Sequence, residues 1–280
     1  MTSPQDLQPL GIFDSGLGGL TVVRQIQKVF PRLPIIYYGD TARVPYGTKS
    51  PKTVTHFSRQ IIDFLIAQNV QAIVVACNTA SAAAVPVLKD EYDIPIYGVV
   101  EPGAEAAFAA SKSGRIGVIG TNSTIRTNVY TKAIQSRDNS LSVFGKACPL
   151  FVPLVEEGWE EHDVTKQIAR EYLNPVLENE IDTLILGCTH YPMLTKTLKE
   201  ILPAGINIID SGVAAANELE GKIQVSSDAA PEHKYFVSDT PERFAELAAR
   251  FLGKPMQQIY HFDVDRVWTR ADILEAPKIV

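Results

Sequence analysis

Short apolar runs alternate along the chain with segments of helical period. Residues 11–14 (Gly-Ile-Phe-Asp) read as a strand that ends in the turn Ser15-Gly16-Leu17-Gly18-Gly19, and Leu20, Val23, Ile26 and Phe30 then recur near helical spacing. A second strand is expected over residues 34–39. Ser50-Pro51 reads as an N-cap followed by a first-turn proline, with Val54, Phe57, Ile61 and Phe64 as the buried stripe behind it. Residues 72–76 form a continuous, β-branched run that suits a strand buried on both faces. Further strands are expected over 115–120 and 182–187. After the second of these comes a turn, Cys188-Thr189-His190-Tyr191, and then a helix opened by Pro192 with Leu194, Leu198 and Ile201 on one face. A last helix starts at Thr240-Pro241, buries Phe244, Leu247 and Phe251, and ends at Gly253. Residues 254–280 look irregular apart from a strand-like 258–262, and Trp268 there is either core or interface. The alternation predicts an α/β fold with mainly parallel sheets.

The strand ends repeat. Asp14-Ser15 corresponds to Gly120-Thr121, Cys77-Asn78-Thr79 to Cys188-Thr189-His190, and Glu101-Pro102-Gly103 to Asp210-Ser211-Gly212. The separations agree: 63 residues from Asp14 to Cys77 against 68 from Gly120 to Cys188, then 24 against 22 to the next acidic strand end. Such a ladder predicts two similar α/β domains. They are expected to comprise 1–100 with 210–280, and 101–209. Pro102-Gly103 and Asp210-Ser211-Gly212 are the expected crossings.

Composition narrows the class. At 280 residues, 45% hydrophobic and 21% charged, the chain can build its core without metal or disulfide staples. The net charge of −6, with no Lys/Arg cluster, argues against nucleic acid. The start of the chain lacks the cationic and apolar regions of a signal peptide, and the most apolar stretch, 72–88, is interrupted by polar residues and Pro86. Three cysteines without a close pair fit reduced thiols, so a cytoplasmic protein with no membrane partner is expected.

Cys77 and Cys188 both fall at strand ends, where open α/β sheets bind ligands. Nearby helix N-terminal amides are expected to stabilise their thiolates. Cys148 reads as a packed small hydrophobe. Two opposed thiols suit removal of a proton from one face of a carbon and its return to the other, the chemistry of a cofactor-independent racemase or epimerase. The glycine-rich turn after Asp14 lacks the lysine of a phosphate loop. No cation sits at these strand ends, so an anionic ligand would be held by backbone N–H groups and by Ser15, Tyr46-Gly47, Asn78, Thr79, Thr121 and Thr189. Helix capping is the competing reading for Ser15 and Thr79.

Four motifs carry a specific resemblance: Asp14-Ser15-Gly16-x-Gly18-Gly19, the run from Tyr38-Gly39-Asp40 to Pro45-Tyr46-Gly47, Ala76-Cys77-Asn78-Thr79-Ala80-Ser81 and Leu186-Gly187-Cys188-Thr189-His190-Tyr191-Pro192. In order, over about 10–252, they resemble the glutamate racemases of the aspartate/glutamate racemase superfamily. The resemblance implies two doubly wound, flavodoxin-like domains related by a pseudo-twofold axis, with the active site in the cleft between them. It implies interconversion of L- and D-glutamate without pyridoxal phosphate or metal, the D-glutamate serving peptidoglycan synthesis, and a homodimer as the assembly. Cys77 and Cys188 then serve opposite enantiomers. Asp14 assists Cys77 and is a candidate for the substrate ammonium, His190 assists Cys188, and Asp40 and Glu156 match family acidic positions. For Glu156, an exposed loop carboxylate is the alternative. The rival readings are an aspartate racemase, a binding protein that keeps the fold without turnover, and a redox thiol protein, the last disfavoured by the cysteine spacing.

Overall fold

The computed structural model describes residues 8–225, 231–239, 241–256, 258–266, 268, 269 and 272. The first stretch runs β1 (Leu10–Asp14), α1 (Leu20–Val29), β2 (Ile35–Gly39), α2 (Pro51–Ala67), β3 (Ala72–Val75), α3 (Asn78–Leu88), β4 (Ile96–Gly98) and α4 (Val100–Ala110). Next come β5 (Arg115–Gly120), α5 (Asn122–Arg126), α6 (Val129–Gln135), β6 (Ser142–Ala147), α7 (Phe151–Glu156) and α8 (Asp163–Leu177). The rest is β7 (Thr183–Gly187), α9 (Thr195–Ile201), β8 (Asn207–Asp210), α10 (Ser211–Glu218), β9 (His233–Val237), α11 (Pro241–Leu252) and β10 (Ile259–His261).

Two sheets form, and every strand pairing in them is parallel. Their orders are β10-β9-β2-β1-β3-β4 and β6-β5-β7-β8. The second order reproduces β2-β1-β3-β4 of the first, so the repeat in the sequence is a repeat of topology. The strand ends carrying Cys77 and Cys188 are equivalent in the two sheets. Successive residues of β1 bury opposite faces: Leu10 and Ile12 join one apolar cluster, Phe13 another. In the second sheet Leu184 and Leu186 face one cluster and Ile185 the other. Helices cover both faces, as the unbroken apolar runs require. One cluster continues from Leu20 and Val23 of α1 to Phe151, Tyr191 and Leu198 beside the second sheet. Each fully buried aliphatic side chain in it contributes about 1.5–3 kcal/mol.

Local signals act as their chemistry predicts. Ser50 Oγ accepts from the Thr53 N–H at 3.2 Å, with Pro51 in the first turn of α2. Phe244 and Phe251 of α11 are buried; the expected start, Thr240, lies outside the described residues. Trp268 is half-buried and packs edge-on to Phe64 and Phe262, which assigns it to the core. Pro102-Gly103 lies in the first turn of α4, where the missing proline N–H breaks no helical bond; the chain passes from the first sheet to the second through α4 and returns through α10, which starts at Ser211. One expectation shifts. The helix expected from Pro192 begins as a 3₁₀ turn, Tyr191–Leu194, before α9. There Thr195 Oγ1 donates to the Pro192 carbonyl at 2.7 Å and the Tyr191 hydroxyl to the Cys148 carbonyl at 2.8 Å, which fixes the tighter turn. Among the described residues no helix is long and apolar enough to cross a membrane.

Candidate active site

The carboxyl ends of β1, β3, β5 and β7 open onto one cavity of about 310 Å³. The first sheet contributes Ser15, Cys77, Asn78 and Thr79, with Tyr46 and Gly47 from the loop after β2. The second contributes Thr121, Cys188, Thr189 and His190, with Glu156 at the end of α7. Among the described residues the lining has no Lys or Arg. Neutral donors stand in their place, held by one another. Thr79 and Thr121 share a hydroxyl bond of 3.0 Å across the two sheets, and the Tyr130 hydroxyl donates to Asn78 Oδ1 at 2.6 Å. The helix caps are Gly19 for α1 and Cys77 for α3, so neither Ser15 nor Thr79 caps a helix.

Cys77 stands at the mouth of α3, its thiol 3.6 Å from Ser15 Oγ. Burial pushes this thiol up to about 12, and the nearby Asp14 carboxylate pushes the same way. The Ala80 and Ser15 amides pull it down but do not offset the loss of water. Cys188 has no α-helix immediately behind it. Burial raises its thiol too, the His190 N–H lowers it, and the charges of Cys77, Asp14 and Glu156 raise it further. This corrects the expectation of stabilised thiolates: helix amides act on Cys77, yet desolvation outweighs them. Cys148 is fully buried in the apolar core, away from the cavity.

His190 Nδ1 lies 4.0 Å from Cys188 Sγ, and its Nε2 lies 3.0 Å from Glu156 Oε1. Thiol, imidazole and carboxylate therefore form a connected line. Glu156 sits at the C-terminus of α7 with its side chain about one-third exposed, 34%; it is a partner of His190 rather than the exposed loop carboxylate of the alternative reading.

The other two acids lie behind the cavity wall. Asp14 is fully buried; its Oδ2 accepts from the Gly16 N–H at 2.9 Å and its Oδ1 from the Thr189 hydroxyl at 3.4 Å. Burial raises its pKa while His190 and the Gly16 and Gly19 amides lower it. It does not reach the surface of the cavity, so it faces a substrate ammonium only through its field. Asp40 is held farther back, by the Arg43 guanidinium at 2.7 Å, Ser238 at 3.0 Å and the Tyr46 hydroxyl. Burial raises it, and those three partners lower it. Asp40 thus anchors the loop that presents Tyr46 and Gly47, and takes no place on the wall.

Sequence reasoning missed several supports. Thr124 shares its hydroxyl with Thr79 and Thr121, and Ser211 lies 3.4 Å from Asn78 Nδ2. Ser211 belongs to the third rung of the repeat and could have been found there; Thr124 and Tyr130 carry no local signal.

Two parallel sheets of matching strand order, each presenting a cysteine to a shared cavity, define a class. Residues 19–219 match the Asp/Glu/Hydantoin racemase family, and the chain belongs to it. Among its relatives, the glutamate racemase of Geobacter metallireducens is 46% identical over 261 residues, 91% of this chain and 97% of the relative. The solved structure of glutamate racemase isoform RacE1 from Bacillus anthracis superposes with a TM-score of 0.88 at 39% identity, covering 91% of this chain and 97% of that one. The glutamate racemase of Francisella tularensis, in complex with D-glutamate, gives 0.86 at 36% identity over 93% and 99%.

Proposed function

We propose that this chain interconverts L- and D-glutamate by passing the Cα proton between Cys77 and Cys188, with no cofactor. The observation that carries the reading is the pair of thiols at equivalent strand ends of two repeated sheets, both in one cavity. One cysteine, as thiolate, takes the Cα proton and becomes a thiol. The electron pair left on Cα takes a proton from the other thiol, which becomes the thiolate. The next turnover in the reverse direction exchanges the roles, so protons and charge balance.

Burial keeps both thiols protonated in the protein alone, so the substrate has to help make the base. Its ammonium, placed between the sulfurs, favours a thiolate by direct attraction. The carboxylates are bound by neutral groups: Ser15, Asn78, Thr79, Thr121 and Thr189, with the Tyr46-Gly47 backbone. A fixed cation would hold substrate and transition state alike and raise no rate. His190, oriented by Glu156, accepts and returns the proton of Cys188. Asp14 acts on Cys77 from behind the wall through its charge. Asp40 fixes the Tyr46-Gly47 loop.

The same reading takes residues 1–100 with 210–280 as one domain and 101–209 as the other, the active site lying between them. It makes the protein a cytoplasmic homodimer that supplies D-glutamate for peptidoglycan. Circular dichroism of L-glutamate should decay to zero on adding enzyme and chelator alone, with solvent deuterium entering Cα in heavy water. Aspartate should show neither change. Alanine at Cys77 or Cys188 should abolish racemisation; full turnover by either variant would refute the two-thiol mechanism.

A further inference from the structure

Two consecutive residues of α11 touch the partners of Cys188. Arg250 lays its guanidinium on the C-terminal end of α7, Nη2 donating to the Val155 carbonyl at 3.0 Å and Nη1 to the Glu156 carbonyl at 3.3 Å. It also pairs with Glu160. At six residues, α7 is too short to hold its shape by its own hydrogen bonds. Its last carbonyls carry the negative end of the helix dipole, which a guanidinium satisfies in both charge and hydrogen bonding. Glu156, the last residue of α7, is the one that meets His190 Nε2. The next residue along α11, Phe251, is fully buried and meets the His190 ring edge-on, centroids 5.3 Å apart at 81°.

One helix therefore holds both members of the pair, the carboxylate through its backbone and the imidazole through its ring. That helix lies between β9 and β10, strands of the first sheet, and packs on α1. His190 follows β7 of the second sheet. Neither Arg250 nor Phe251 lines the cavity.

We propose that Arg250 and Phe251 are positioning residues for the His190–Glu156 pair, so that proton transfer at Cys188 depends on α11 docking against α7. The proposal rests on the two-thiol reading given above. Glutamine at Arg250 removes the charge and part of the donor fork. Arg250→Gln should lower kcat by about tenfold to a hundredfold, the scale of a misplaced catalytic group. KM should stay within about twofold, because the wall that binds substrate is untouched. Arg250→Lys should recover part of the loss. Glu160→Gln, which keeps both carbonyl bonds, should stay within about twofold of the parent enzyme.

Enantiomers have equal free energies in water, so kcat/KM falls equally in both directions and carries no directional information. Primary isotope effects do carry it. With Cα-deuterated L- and D-glutamate, Arg250→Gln and Phe251→Leu should raise the effect for the enantiomer whose proton Cys188 removes, and lower it for the other. Unchanged isotope effects, a change confined to KM, or a Glu160→Gln loss as large as that of Arg250→Gln would overturn the proposal. If Arg250→Gln does not fold, Arg250→Lys and Phe251→Leu take the same measurements. If the parent enzyme fails to racemise glutamate, the two-thiol reading falls by itself. The ¹⁵N signals of the His190 ring then still decide the positioning claim without turnover: Arg250→Gln should shift Nε2, and an unmoved signal refutes it.

Discussion

Gly18 sits in the turn between β1 and α1, close against Thr189 and His190. A methyl group built on it would stand 2.2 Å from Thr189 Oγ1 and 2.5 Å from His190 Nδ1. Ordinary contact begins near 3.4 Å, so both side chains would have to retreat by roughly 1 Å. Neither has room. Thr189 and His190 are buried, Thr189 is bonded to Asp14, and His190 is held between Glu156 and Phe251. Gly18→Ala should therefore cost about 1–3 kcal/mol of stability by overpacking. At roughly 2–4 °C per kcal/mol for a chain of this size, the fall in Tm should be readily measured. The loss of turnover should be larger in proportion: moving an acid–base group by about 1 Å costs about a hundredfold in kcat. Gly205→Ala is the control. Its φ of +94° disfavours a side chain, but open space surrounds it, so it should lose about 1 kcal/mol and keep its kcat. Circular dichroism supplies both measurements, of glutamate for turnover and of the protein for Tm. If folded Gly18→Ala turns over within twofold of the parent, the turn does not constrain His190 and the reasoning fails.

Burial makes Cys77 and Cys188 thiols rather than thiolates at neutral pH, so iodoacetamide at pH 8 should modify both more slowly than free cysteine, as peptide mapping by mass spectrometry would show. Because Cys77 is raised from 9.0 to about 12 on folding, its contribution to stability is complete below pH 9 and is lost as pH rises through 12, so Tm should drop over that window; alkylation faster than free cysteine refutes the assignment. Tyr46→Phe removes the hydroxyl that ties the substrate loop to Asp40, and should raise KM for glutamate several-fold with a smaller change in kcat. An unchanged KM would separate the Asp40 cluster from substrate binding.

Parallel sheets explain why so much was legible. A strand buried on both faces must be an unbroken apolar run, so β1, β3, β5 and β7 announce their own ends. The residues after them line the shared cavity, because that is where parallel strands point their chain ends. Cys77 and Cys188 were legible for that reason and through the repeat. Depth was not. Whether an acid reaches the cavity depends on what packs in front of it, and nothing near Asp40 in sequence tells that Tyr46 will fold over it. Glu156 is the reverse case, its place set by α7 docking near His190, 34 residues further on. The thiol pKa values went astray likewise: helix amides are local and readable, whereas loss of solvent is a property of the assembled fold. Pro192 misled by one turn, because its effect depends on Tyr191 reaching Cys148.

A cavity lined by hydroxyls, amides and backbone has one more consequence. Ser15, Asn78, Thr79, Thr121 and Thr189 neither gain nor lose protons between pH 4 and 10. On the proposed reading, the groups that hold the two carboxylates add no titration of their own, as a histidine in their place would. Above about pH 5, where the side-chain carboxyl of glutamate (about 4.3) is itself ionised, a slope in a pH–rate profile then belongs to the substrate ammonium or to the sulfur, imidazole and carboxyl groups around it.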